Sequence, residues 1–529
     1  MSDESVSAPP AADTAEWRPA YSPWLIAVSV MLGTFMEVLD TSVANVALPH
    51  IAGNLSSTPE EATWVLTSYL VSNAIILPAS AWLSGVFGRK RFLIACIVIF
   101  TASSALCGAA DSLGMLIAAR VLQGAGGGAL QPIAQAILLE SFPPAKRGLA
   151  MATYSMGVIV APILGPTVGG WITDNYSWRW IFYINMPVGI AAALMAQAFI
   201  EDPPYLHRTS RRRIDYWGMG FLVLWLGTLQ IVLDKGQEDD WLAAVWVRWF
   251  LVISALSMVA FIYRELHADE PIVNLGVLGN RNFALGTVLI TAMGVVLYST
   301  TALLPLFLQT LLGYSALQAG LAISPRGIGA LFSATIVGRL VGLLDSRLMI
   351  AAGFGLVAVS SVWLSRLTFD VSQANVVWAT VLNGIATPLI FIPLSTTAVG
   401  TLRTEQLGQA TGIYNLMRNT GGSLGISAVA TLLARRAQVH QAVLVRHLTP
   451  YDPAYRKWLD TMQRGLAARV GSIAAVPQSM GLLYRELTRQ ATLLAFVDNF
   501  KLISLLAICC LPLAVLFQRV RARRAGGKH

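Results

Sequence analysis

The chain has 529 residues, 55% of them hydrophobic and only 12% charged, with a formal net charge of +9. An ordinary soluble domain carries roughly a quarter charged residues, so a soluble globular protein is excluded. The positive charge sits in short clusters between apolar runs, the pattern of a basic face over anionic lipid, and carries no nucleic-acid inference.

Residues 1–22 are rich in Pro, Ala and acid and lack a basic segment ahead of an apolar run. They read as a disordered cytoplasmic tail rather than a signal peptide. Apolar runs long enough to cross a hydrocarbon core of roughly 30 Å then recur along the chain. Fourteen spans are predicted, at 23–49, 62–87, 92–110, 113–138, 149–172, 179–200, 214–234, 246–265, 283–310, 316–343, 348–366, 374–400, 407–435 and 494–518. Helices satisfy their own backbone hydrogen bonds in lipid, and the alternating pattern of a membrane barrel is absent. The predicted fold class is therefore all-α, a polytopic membrane helical bundle.

Arg89, Lys90 and Arg91, then Lys146 and Arg147, then Arg208 and Arg211 to Arg213, then Arg519 to Arg524 all fall on one side of this arrangement. Lys and Arg are retained on the cytoplasmic side, so both termini are expected there. The segment 436–493 lies on the outer side yet carries eight Lys and Arg residues. Loops near this length translocate largely regardless of charge. Within it Trp458, Met462, Leu466 and Val470 recur at amphipathic helical spacing among basic residues. Such a helix suits either the outer membrane surface or a protein partner.

The first span contains FMEVLDTSVANVALP, where Glu37 and Asp40 are the only acids placed deep in a span. Intramembrane ionisable residues are costly and usually mark ion or substrate pathways. Three residues apart, the two carboxyls project from one helix face and can share a polar cavity as proton carriers. The alternative is that they pair with basic residues to hold helices together. Arg120 in the fourth span is the obvious partner, since it lies roughly 10 Å from one end and Asp40 roughly 25 Å from the other, similar levels. Arg326 and Arg418 are also too deep to snorkel, and either line a cavity or brace the bundle. Tyr69, Gln123, Tyr298, Asn415 and Asn419 are, with Arg418, polar candidates for a substrate cavity by depth. Cys96, Cys107, Cys509 and Cys510 lie in spans without metal-ligand spacing, no histidine is deep, and no nucleophile–base set appears. No catalytic residue, metal or cofactor is expected.

Five segments in order carry a resemblance: LDTSVANVALPHI in the first span, GRKR after the second, RVLQGAGGG in the fourth, LGPTVGG in the fifth and WRWIFYINMPVG opening the sixth. The chain resembles the major facilitator superfamily, specifically the fourteen-span drug:proton antiporters of the EmrB/QacA type. This implies two six-helix halves, 23–200 and 283–518, with a linker and two inserted helices over 201–265 and a basic cytoplasmic tail at 519–529. It implies a proton-driven exporter of amphipathic hydrophobic compounds in a bacterial inner membrane. Protons are then the coupling ion, with Asp40 as protonation site and Arg120 in proton transfer. The resemblance assigns Gly165, Pro166, Gly169 and Gly170 to a conformational motif associated with export. Gly88, Arg89, Lys90 and Arg91 match the cytoplasmic loop motif, although Gly85 stands where the family pattern has an acid. A periplasmic membrane-fusion adaptor with an outer-membrane channel is an implied partner. The alternative is a transporter of the same fold specific for one metabolite or lipid-like substrate.

Overall fold

The computed structural model describes residues 19–143, 146–202, 215–268, 271–403, 406–449 and 451–517. Most of the linker and both tails lie outside these residues. The described chain is helical throughout, its only bridge being the isolated pair Val341 and Leu344.

The first cluster comprises α1 (Pro23–Asn54), the single turn α2 (Pro59–Ala62), α3 (Trp64–Phe87), α4 (Arg89–Gly108), α5 (Leu113–Gly127), α6 (Leu130–Ser141), α7 (Arg147–Asn175), α8 (Trp180–Tyr183) and α9 (Asn185–Phe199). Two helices follow, α10 (Tyr216–Lys235) and α11 (Val245–His267). The second cluster comprises α12 (Arg281–Thr310), α13 (Ala316–Ile323), α14 (Pro325–Leu340), α15 (Ser346–Leu364), α16 (Gln373–Val399), α17 (Leu407–Val445), α18 (Pro453–Val470) and α19 (Ser472–Val515). Thirteen helical stretches among the described residues are long and apolar enough to cross a membrane. Helix α17, where a further span is expected from the sequence, carries Arg418, Arg435 and Arg436 and is not among these thirteen. The fourth span is interrupted at Gly128 and Ala129, the sixth at Ile184, and the tenth at Ser324, ahead of Pro325.

The expected boundaries shift most near the end. Helix α17 has 39 residues and α19 has 44, which at 1.5 Å per residue is about 58 and 66 Å, roughly twice the hydrocarbon thickness. Both project beyond the bilayer, and α18 packs against α19 in that projection. Asp498 of α19 ties the pair together through His440 at 2.8 Å and Arg436 at 3.6 Å, both on α17.

In the first cluster α1 packs on α6, α7 and α9, while α5 fits between α3 and α4. Glycine makes the second arrangement possible. A Cβ at Gly126 would stand 2.7 Å from the Phe100 backbone nitrogen on α4, and one at Gly124 would strike the Tyr69 carbonyl oxygen on α3. On α7, Gly165 and Gly169 face Ser42 and Val43 of α1 in the same way, and Ser42 Oγ donates to the Pro162 carbonyl at 3.1 Å. Small residues let backbones approach in lipid, where packing rather than the hydrophobic effect drives helix association. Pro166 lies in α7 with its side chain outside the described set.

The two clusters meet along α3 with α17 and along α7 with α14. At the end bearing Arg89 to Arg91 the seam is tight: Gly148 of α7 lies against Gly338 of α14 and Val341 just beyond it, and Gly412 of α17 faces the Leu77 carbonyl of α3. Tyr154, Phe391 and Tyr414, from α7, α16 and α17, are all buried; Tyr154 stacks on Phe391 with ring centroids 6.2 Å apart, and Tyr414 lies tilted against Phe391 at 6.4 Å. Helix α10 touches both clusters, with Asp234 accepting from Thr67 of α3 and Gln230 donating to Ser423 of α17 at 3.0 Å.

Gly126→Ala is expected to destabilise the purified protein by about 1–3 kcal/mol through overpacking. A melting curve in detergent checks this, with Gly114→Ala, which meets nothing within 4 Å, expected to leave the curve unchanged.

Candidate functional site

Asp40 and Glu37 are both buried, and each is held by three donors. Asp40 accepts from Arg120 Nη1 at 2.6 Å, from Gln123 Nε2 at 2.9 Å and from Asn185 Nδ2 at 2.7 Å. Arg120, one of the most deeply buried large side chains, also donates from Nη1 to Gln123 Oε1 at 2.7 Å and from Nε to the Val65 carbonyl at 3.0 Å. Its guanidinium lies over the Tyr69 ring, 4.2 Å from the centroid. Four helices, α1, α3, α5 and α9, therefore converge on one ion pair. Cys107 Sγ, 3.5 Å from Gln123 Oε1, closes the pocket on the α4 side.

Glu37 faces a different shell. It accepts from the Tyr69 hydroxyl at 3.2 Å, Asn73 Nδ2 at 3.3 Å and Gln131 Nε2 at 2.6 Å. Among the described residues no Lys or Arg pairs with it. Gln131 accepts in turn from Arg418 Nη2 of the second cluster, so the amide is oriented between an acid on one side of the seam and a guanidinium on the other. The expectation that the two carboxyls share one cavity is thus replaced by two shells on opposite sides of Tyr69, whose ring serves Arg120 and whose hydroxyl serves Glu37. Gly127 makes room for this, since a Cβ there would lie 2.7 Å from the Tyr69 hydroxyl and 3.3 Å from Glu37 Cγ.

The polar candidates separate in the same way. Tyr69 and Gln123 belong to the carboxylate shells. Asn415 donates to Gln135 Oε1 across the seam at 2.7 Å, and Asn419 accepts from Arg418 at 3.4 Å. Tyr298 is half-buried and lies against Gly422, outside both shells. Asn185, Gln131 and Gln135 were not singled out from the sequence. Asn185 stands in the WRWIFYINMPVG segment, where its depth was a usable signal; neutral amides at 131 and 135 carry no comparable mark.

At the basic end, Gly88 adopts φ +84° and Arg89 pairs with Glu140 at the end of α6. Asp202 accepts from the Lys90 backbone N–H at 2.7 Å, and Lys90 Nζ donates to the Gln197 carbonyl at 2.6 Å, while Arg91 is exposed. The acid missing at Gly85 therefore has counterparts in Glu140 and Asp202, far along the chain. A left-handed glycine leaves the first turn of α4 open to Asp202, whose carboxylate would meet a Cβ at Gly88 at 3.1 Å.

Removing one partner of a buried pair leaves an uncompensated charge and costs about 3–5 kcal/mol, whereas removing both costs less. Asp40→Leu and Arg120→Leu are each expected to lower the melting temperature strongly, and the double variant by less than the sum. A thermal double-mutant cycle in detergent measures that difference.

The Major Facilitator Superfamily family model matches residues 30–426. The chain is 37% identical over 478 residues to multidrug export protein EmrB of Escherichia coli strain K12, covering 90% of this chain and 91% of that protein. It is 36% identical to fatty acid resistance protein FarB of Neisseria gonorrhoeae, covering 95% and 97%, and 30% identical to colistin resistance protein EmrB of Acinetobacter baumannii, covering 96% and 98%. Its fold matches the crystal structure of the human organic anion transporter MFSD10 with a TM-score of 0.58 at 13% identity, covering 92% of this chain and all of that one. The chain belongs to the major facilitator superfamily, in its EmrB/QacA-type branch.

Proposed function

We propose that the protein is a proton-driven efflux transporter of amphipathic, largely apolar compounds, working by alternating access in a bacterial inner membrane with both termini in the cytoplasm. The observation that carries this reading is the pair of buried carboxylates on α1, one locked to Arg120 and the other linked through Gln131 to Arg418 across the seam. The relatives named for multidrug export and for fatty acid and colistin resistance support the substrate range.

The chemistry follows from charge burial. A proton arriving at Asp40 cancels the negative half of the ion pair and leaves the Arg120 guanidinium without its counter-ion, which is costly in a dry site. Arg120 is then left with the Gln123 amide, the Val65 carbonyl and the Tyr69 ring, none of them a full negative charge. A proton arriving at Glu37 turns one acceptor oxygen into a donor. Gln131, which donates to Glu37 and accepts from Arg418, then faces a neutral acid rather than a carboxylate, and the link across the seam weakens. Proton binding on one cluster is thereby coupled to separation of the two. The Gly165 and Gly169 contacts let α7 slide on α1 as the seam opens. The projecting helices α17 to α19 provide the surface on which a periplasmic adaptor leading to an outer-membrane channel would dock. Exposed Ile473 and Tyr484 among basic residues suit such a contact.

Asp40→Asn keeps the shape of the side chain and removes its titration. In proteoliposomes with an imposed pH gradient it is expected to abolish coupled ethidium efflux and proton uptake, and Glu37→Gln to slow both; unchanged coupled transport in Asp40→Asn would overturn the assignment. Topology is checked separately, in a background lacking the four native cysteines. Ile473→Cys should react with an impermeant maleimide added outside spheroplasts, and Thr401→Cys, at the basic end, should react only after permeabilisation.

A further inference from the structure

Four guanidiniums are buried in the membrane-spanning part of the described chain, and three have evident partners. Arg89 pairs with Glu140, Arg120 with Asp40, and Arg418 with Gln131 and Asn419. Arg326 is different. It stands in the first turn of α14, eight residues into the tenth span and so about 12 Å from that end. It is only 7% exposed. Its Nη1 donates to Thr301 Oγ1 of α12 at 3.0 Å, and its Nη2, like that of Arg120, is buried with no partner. Among the described residues no carboxylate lies within ion-pair distance of it.

A brace does not account for this arrangement. A buried charge is tolerated when paired and fully hydrogen-bonded, and one hydroxyl leaves most of the five donors of a guanidinium unused. The backbone around Arg326 is closely packed, since a Cβ at Gly384 of α16 would strike the Arg326 carbonyl. The helix is therefore fixed against α16 while the guanidinium is held forward towards Thr301, whose own side chain is exposed. The second cluster also contributes Arg418 to the membrane interior without a carboxylate in contact, so this side of the seam is cationic where the first cluster holds both acids.

We infer that Arg326 and Thr301 form an anion-recognition point that receives the head group of an amphipathic anion, a carboxylate being the simplest, while the apolar tail lies along the helices. This rests on the efflux reading above and gives it a substrate class. The fork geometry of arginine suits a two-oxygen head group, and Nη2 is the donor left for it. A cation of the same tail gains nothing there.

The test uses the full-length chain in nanodiscs and two probes with the same twelve-carbon tail, radiolabelled laurate and radiolabelled dodecyltrimethylammonium, each corrected for empty nanodiscs. Hydrogen bonds to a charged group lost on truncation correspond to roughly ten- to a hundred-fold in affinity. Arg326→Gln is expected to lower the ratio of laurate to dodecyltrimethylammonium affinity at least about tenfold, Arg326→Lys to restore much of it, and Thr301→Val to lower it by a smaller factor. Absence of specific laurate binding to the unmodified chain, an unchanged ratio in Arg326→Gln, or equal loss of both probes in Arg326→Gln with no change of ratio in Thr301→Val would each overturn the inference. Ethidium efflux by the unmodified chain separates the two levels: if it is proton-driven and laurate is not bound, only the anion site fails.

Discussion

The buried ion pair of Arg120 and Asp40 is the constraint around which the first six spans are organised. Inside a bilayer an unpaired charge is costly, so the helices that carry the pair and its donors hold a fixed register. The Asp40 carboxylate draws on α5 and α9, and Arg120 draws on α3 through the Val65 carbonyl and the Tyr69 ring. Bringing α3 and α5 close enough for this requires a backbone without side chains at Gly124 and Gly128, which face Tyr69 and Asn73. The glycine run and the ion pair are thus one feature: the first permits the distance that the second demands.

Tyr69 extends that constraint to a second acid. Its ring supports the guanidinium and its hydroxyl meets Glu37, so neither carboxylate can change state without altering the surroundings of the same aromatic side chain. From Glu37 the polar contacts continue through Gln131 to Arg418, and a parallel amide contact joins Gln135 to Asn415. These contacts cross the seam between the clusters. They are few and directional in a seam otherwise closed by aromatic stacking and helix backbones, and directional contacts are the ones that a proton can switch.

The inserted hairpin belongs to this picture as well. Helix α10 is bonded to α3 through Asp234 and to α17 through Gln230, and Trp241 just beyond it donates to Thr431 at 2.9 Å. It therefore lies along the same α3–α17 seam, and relative movement of the clusters must slide one of these contacts or carry the hairpin with it.

Much of this was legible in the amino-acid order. Apolar run length and the absence of alternation dictate a helical membrane bundle, because lipid offers the backbone no other partner. The depth of Glu37, Asp40 and Arg120 singles them out, because charges in lipid are rare enough to need a reason. What the order could not supply is partnership across distance. Depth alone cannot tell that Glu37 and Asp40 turn to different shells, that Glu140 and Asp202 take up the basic loop, or that α17 and α19 run on past the bilayer as paired helices. Neutral amides such as Gln131 and Gln135 cost little to bury singly and leave no mark in composition. The sequence by itself determined which residues cannot be left alone in lipid; only the packing of helices from distant parts of the chain decided which of them meet, because hydrogen bonds are satisfied by neighbours in space.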